Sequence, residues 1–292
     1  MVKNLRVDLK RETIALIANV TYKNEKAWYG ETERPLHMSL LVPKHKENHS
    51  EGMPLLVWLC GGGLSVVDHN IWLPQMVWFS ERGFVVASVE YRTSNDVSLP
   101  AALIDVKAAI RYLKSHSAQY CIDPENVFAM GESAGGMLAS LTGVTAGKDE
   151  YEQGDFLEWS SAVNAVIDVY GVADLRRACE TAEEGSGRQI NRLREAGLTP
   201  DDTDWSKLDE FSAIRYVNEN TVPFLILHGT KDEKVDISQS EAFYDRLTEC
   251  GVPCDYYRLV GCIHGEDRFY QEEVLEIVRE FMVRNMKQKL KT

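Results

Sequence analysis

The chain has 292 residues and a mass of 33.0 kDa, enough for one large domain, or one domain with an inserted cap, rather than two equal ones. Its net charge of −13 and pI near 5.1 argue against nucleic acid or an anionic membrane as a partner, since both need a basic face. With 44% hydrophobic and 9% aromatic residues, the composition is that of a soluble protein with a sizeable core, and its acidity selects no substrate.

Residues 1–10 are charged throughout and lack the apolar centre of a signal peptide, and no later apolar run is long enough to span a bilayer. The six cysteines form no Cys-x-x-Cys pair, so reduced thiols and a cytoplasmic location are expected.

In chain order, the first part reads as antiparallel strands: Leu36-His37-Met38-Ser39-Leu40 alternates apolar and polar residues, as a half-buried strand does. Residues 47–52 read as an exposed turn. The pattern then changes to continuous apolar runs at 55–59, 84–89, 127–130, 163–169 and 224–227, each followed by a helical stretch. Such runs alternating with helices predict a mostly parallel sheet covered on both faces, an α/β architecture. The spacing predicts helices over 101–113, with Ala102, Val106, Ala109, Ile110 and Leu113 on roughly one face, and over 240–247 and 274–282. From Asp174 to about Val217 the chain is charged and weakly periodic. This stretch is expected to be a cap or lid over the carboxyl ends of the strands; the alternative is a plain crossover helix with a long solvated loop.

The chemistry starts at Gly131-Glu132-Ser133-Ala134-Gly135-Gly136, directly behind Val127-Phe128-Ala129-Met130. Strand, sharp Gly-x-Ser-x-Gly turn and helix would hold a serine hydroxyl at a strand end and a helix N-terminus. That serine needs a base to take its proton and an acid to orient the base. In parallel-sheet versions of this device the chain order is Ser, then acid, then His. Asp232, just past the run 224–227, is the acid nearest a strand end, with Glu233 and Asp236 as competitors. His264, in a loop after Tyr256-Tyr257-Arg258-Leu259, is the expected base. His228 is its rival, but it precedes the acid and reads as a packing or locally bonded residue. His37, His45 and His49 lie in the N-terminal strand and turn region. Cys262 and His264 could suggest a metal pair, but no further ligand set accompanies them, and no metal or cofactor is expected. Cys60-Gly61-Gly62-Gly63-Leu64 follows the run 55–59. There the N–H groups of Gly62 and Gly63, joined by that of Ala134, are expected to cradle an oxyanion.

Together these pieces resemble the α/β-hydrolase superfamily, most strongly the carboxylesterases related to hormone-sensitive lipase and to bacterial feruloyl and acetyl-xylan esterases. The matching residues are Gly61-Gly62-Gly63, Glu90-Tyr91-Arg92, Pro100-Ala101-Ala102 with Asp105, Asp123-Pro124, Gly131 to Gly136, Tyr170-Gly171, His228-Gly229-Thr230-Lys231-Asp232 and His264-Gly265. The likeness spans about residues 35–285. It implies the α/β-hydrolase fold over a single domain, 1–292, with a small cap at about 174–217, and an acyl-enzyme mechanism. One departure is Cys60, which stands where such proteins usually carry His before the glycines.

The expected function is hydrolysis of short-chain acyl esters, with acetyl or feruloyl esters of plant carbohydrates as candidate substrates. The partner is then a small-molecule or oligosaccharide ester, with homo-oligomerisation left open. Trp72 and Trp78 either border the substrate or pack on the helix over 71–80. Two other readings are a serine peptidase of the prolyl-oligopeptidase kind, for which the propeller-sized N-terminal region is lacking, and a non-catalytic ligand receptor, which would tend to show a damaged triad.

Overall fold

A computed structural model of the protein describes residues 1–8, 10–26, 30–44 and 49–287. His45, Glu47 and Asn48, assigned above to the N-terminal strand and turn region, lie outside the described residues. The chain begins with β1 (Ile14–Lys26), β2 (Glu33–Pro43) and β3 (Met53–Leu59). It continues through α1 (Leu73–Ser80), β4 (Val85–Val89), α2 (Ala101–Ser115) and α3 (Ser117–Tyr120) to β5 (Ile122–Glu132) and α4 (Ala134–Val144). After β6 (Ala165–Val169) come three short helices, α5 (Leu175–Glu180), α6 (Gly187–Glu195) and α7 (Ser206–Glu210). The last elements are β7 (Phe224–Gly229), α8 (Ser238–Glu249), β8 (Cys254–Leu259) and α9 (Glu272–Arg284).

Among the described residues, eight strands form one sheet in the order β1-β2-β4-β3-β5-β6-β7-β8. β2 runs antiparallel to both β1 and β4, and the six strands β4-β3-β5-β6-β7-β8 run parallel to one another. This is the mostly parallel sheet of the α/β-hydrolase fold. After β3 the chain steps outward to β4, then returns to lay β5 on the other side of β3. The loops leaving β3 and β5 therefore diverge from adjacent strand ends, where open α/β sheets bind ligands. The register Leu59↔Gly131 puts the Cys60–Gly63 glycines directly beside the serine turn.

The continuous apolar runs are explained by burial on both faces. Leu55, Val57 and Leu59 of β3 point into one core with Val106 and Ile110 of α2, Met137 and Leu141 of α4, and Phe243 of α8. Leu56 and Trp58 point into the other, against Met76 and Phe79 of α1 and Val278 and Phe281 of α9. Each fully buried aliphatic side chain of this kind contributes about 1.5–3 kcal/mol.

Helix α2 forms where the spacing predicts it, but its polar face is not solvated. Asp105, Lys107 and Arg111 are fully buried. Lys107 Nζ lies 2.9 Å from Glu152, Arg111 also pairs with Glu152, and Asp105 accepts Arg92 and Lys23, each at 2.8 Å. A helical pattern records only which residues avoid water; here paired charges are enclosed as well.

The weakly periodic stretch at 174–217 holds three helices of five to nine residues rather than one crossover helix. Asp174 and Ser186 cap two of them, accepting from the N–H groups of Arg177 and Gln189. Helices this short leave no long apolar period to read.

Candidate active site

Strand β5 ends at Glu132 and α4 starts at Ala134, so Ser133 occupies the turn alone. Its backbone sits at φ 56°, ψ −120°, a left-handed conformation that costs a non-glycine residue about 1–3 kcal/mol. The flanking glycines let the turn close. A Cβ on Gly131 would strike Gly135 O, and one on Gly135 would strike Leu59 O. The strained turn lifts the Ser133 hydroxyl off the sheet into a cavity of about 710 Å³.

His264 reaches the same cavity from the loop after β8. Its Nε2 lies 3.0 Å from Ser133 Oγ and its Nδ1 2.7 Å from Asp232 Oδ2. The carboxylate partner selects the tautomer: Nδ1–H donates to Asp232, leaving Nε2 free to accept the serine proton. The Tyr170 ring packs against the imidazole at a centroid separation of 4.6 Å. Asp232 is itself tightly held, its Oδ1 accepting the N–H groups of Lys234 and Val235 at 2.8 and 2.9 Å. Burial alone would raise the Asp232 pKa, but hydrogen bonds from His228, His264 and the Val235 N–H outweigh it and hold the carboxyl well below the usual carboxylate range.

The competitors named from the sequence fall elsewhere. Glu233 is exposed, and Asp236 accepts the Ser238 N–H at the start of α8. His228 is fully buried beneath the acid. It bonds Ser240 Oγ at 2.7 Å and Val235 O at 3.0 Å, and its Nε2 lies 3.4 Å from Asp232 Oδ2. It therefore supports Asp232 from behind and makes no contact with Ser133. Cys262 is buried in the core beneath β8, and Trp78 stacks under Arg82. Trp72 lines the cavity and stacks on Tyr270 at 4.3 Å.

The glycine loop after β3 is fixed from both ends. The Gly61 N–H donates to Glu132 Oε1 at 2.6 Å. The Gly62 carbonyl accepts the N–H groups of Ser65 and Val66 at 3.1 and 3.2 Å. Because carbonyl and N–H point opposite ways across a trans peptide, tying down the Gly62 carbonyl turns the Gly63 N–H away from Ser65. The N–H groups of Gly62, Gly63 and Ala134 donate to no acceptor among the described residues; that of Ala134 is free because it opens a helix. Gly62 lies at φ 132°, and a Cβ there would collide with Val66 O. Gly62→Ala is therefore expected to displace the loop and lower kcat on an ester about 100–1000-fold, as losing an oxyanion donor does. Steady-state kinetics beside a melting curve would separate this from unfolding.

The sequence marked Cys60 as a departure in this loop but did not single out Glu132 as its anchor. Burial, then Glu132 and Asp68, push the Cys60 thiol up to about 12, so it stays neutral, with Sγ 3.9 Å from Glu132. The Tyr91 hydroxyl donates to Cys60 O. The loop is anchored here by a carboxylate and a tyrosine. Also missed were Arg188, Asn191, Arg192 and Glu195, which α6 turns into the cavity. Their i, i+3, i+4, i+7 spacing marks one helical face and was available to read. Among the described residues no group of three metal-binding side chains comes together, and no helix is long and apolar enough to cross a membrane.

Comparison with known proteins adds three findings. The BD-FAE family model matches residues 38–247. The probable carboxylic ester hydrolase LipM of Mycobacterium tuberculosis is 29% identical over 66% of this chain and 44% of its own length. The chain spans about half the length of the curated relatives it matches. Among solved structures, a truncated carbohydrate esterase from gut microbiota superposes with a TM-score of 0.80 at 23% identity, covering 95% of this chain and 98% of that one. Esterase Est2 of Thermogutta terrifontis with butyrate bound does so at 0.73 and 26%, over 96% and 97%.

Proposed function

We propose that this chain, which belongs to the BD-FAE family of α/β-hydrolases, is a carboxylic ester hydrolase that works through a serine nucleophile. The observation that carries this is the unbroken relay from Ser133 through His264 to Asp232, opening into the cavity that the glycine loop also lines. Ser133 Oγ attacks the ester carbonyl as His264 Nε2 takes its proton, and Asp232 stabilises the imidazolium. The N–H groups of Gly62, Gly63 and Ala134 receive the oxyanion. His264 then passes the proton to the leaving alcohol. Water, deprotonated by the same imidazole, attacks the acyl-enzyme and frees both acid and serine.

The cavity suits a small acyl group with a larger alcohol. Val66, Ile71 and Trp72 give the cavity lining apolar side chains, and α6 contributes charged ones. Short-chain esters are the expected substrates, in keeping with the butyrate in the Thermogutta relative, and acetyl or feruloyl esters of carbohydrates remain the natural candidates. In this reading residues 1–292 form one hydrolase domain and 174–217 is its lid. With no disulfide among the described residues, a reducing, cytoplasmic setting is the reading we adopt. The intact relay favours an enzyme over a receptor.

The test is p-nitrophenyl acetate hydrolysis together with a fluorophosphonate probe. Turnover of the ester and a single probe adduct on the peptide holding Ser133 are expected. If no short-chain ester is cleaved, or the adduct falls on another residue, the proposal fails.

A further inference from the structure

We propose that the esters this site selects carry an anionic group, a carboxylate or a phosphate, on the alcohol side, bound by Arg188, Arg192 and Lys234. The inference rests on the ester-hydrolase reading and specifies its substrate class. It starts from a second cavity of about 310 Å³ beside the first. The two share Arg188, Arg192, Lys234 and Val235, so the passage between them is walled by three cations and one apolar side chain.

Carboxylates outnumber cations in this chain, 45 to 32. Many of its arginines and lysines sit on carboxylates, as Arg92 and Lys107 do. Arg188 and Lys234 have no carboxylate within 4.0 Å among the described residues, although both belong to charged, acid-rich stretches. Arg192 is held by the buried Glu195 at 3.2 Å, which fixes its position one helical turn from Arg188. The acids on the same walls are otherwise engaged. Glu132 accepts the Gly61 N–H, Asp236 accepts the Ser238 N–H, and Asp68 accepts the Asn70 N–H. Two unpaired cations therefore flank a passage leading away from Ser133.

The direction of that passage assigns the anion to the alcohol. Lys234 and Val235 belong to the Asp232 loop, on the His264 side of Ser133. His264 must deliver its proton to the leaving oxygen, so the alcohol lies on that side. The acyl group is left with the apolar side chains of Val66, Ile71 and Trp72. An anionic substituent on the alcohol would meet planar guanidinium donors suited to two oxygens at once.

The experiment compares kcat/KM for 4-acetoxybenzoate and its neutral counterpart 4-acetoxybenzamide, in the wild type and in Arg188→Gln/Lys234→Gln. The wild type should favour the carboxylate by about tenfold or more, the weight of one charge-assisted hydrogen bond, mainly through KM. The double variant should lose that preference, and Arg188→Lys/Lys234→Arg should keep most of it. Competitive inhibition of the wild type by 4-hydroxybenzoate, stronger than by 4-hydroxybenzamide, is expected too and needs no variant. Hydrolysis of both esters with a ratio near one, or a ratio unchanged in the double variant, overturns the inference and leaves the esterase reading standing. Hydrolysis of neither while p-nitrophenyl acetate is cleaved also overturns the inference alone, and cleavage of none of the three esters overturns both.

Discussion

Ser133→Ala and His264→Ala are each expected to lower kcat for p-nitrophenyl acetate by about 10,000-fold or more, and the double variant no further than either single one. The reason is that the two side chains act as one unit. Without the imidazole 3.0 Å away, the Ser133 hydroxyl keeps its proton; without the hydroxyl, the imidazole has nothing to deprotonate. Residual turnover would come from the glycine N–H groups and from positioning, so it should stay above the rate in water. Single-turnover kinetics on the three variants checks this. Additive losses, or near-normal turnover in His264→Ala, would refute the relay and reopen the question of His228.

Asp232→Asn is expected to cost about 10,000-fold in kcat with little change in KM, because an amide N–H can turn the imidazole to the tautomer that no longer accepts from Ser133. The same residue predicts an acid effect on stability. Its carboxyl is depressed in the fold by its hydrogen-bond donors, against the upward push of burial, relative to an unfolded value of about 3.9. Its contribution is therefore fully present above about pH 4 and is lost as the pH falls through the folded value. Melting temperatures of wild type and Asp232→Ala should converge below about pH 4 and differ by a constant amount from pH 5 to 8. A gap that widens on acidification would contradict the assignment. His228→Gln should lower the melting temperature more than kcat, since His228 meets Asp232 and Val235 but not the serine.

Much of the site was legible because its parts are local. Gly131 to Gly136 spells its own backbone: the glycines are demanded by close contacts with Leu59 and with the turn itself. The glycines after β3, Asp232 after β7 and His264 after β8 could be placed at strand ends from the apolar runs alone. Sequence order then ranked His264 over His228, and His264 lies within hydrogen-bond reach of both Asp232 and Ser133. Glu132 was passed over because a turn motif names the serine and leaves its neighbour's partner unstated. That partner, the Gly61 N–H, lies 71 positions away.

By itself the sequence determined the alternation of buried strands and helices, the strained serine turn and the chain order of the three residues of the proposed relay. Those depend on steric limits and on burial patterns that a few consecutive residues express. Only the tertiary structure decided what meets across the sheet. The order β3-β5-β6-β7-β8 sets Ser133 and Asp232 two strand spacings apart, about 10 Å, a span that the imidazole of the β8 loop bridges. It also decided that α2 encloses its charges, that His228 braces the acid, and that α6 turns Arg188 and Arg192 toward Ser133. A charged residue reads the same in a sequence whether it faces water or a substrate. Which of the two it faces is set by the packing of segments far apart in the chain.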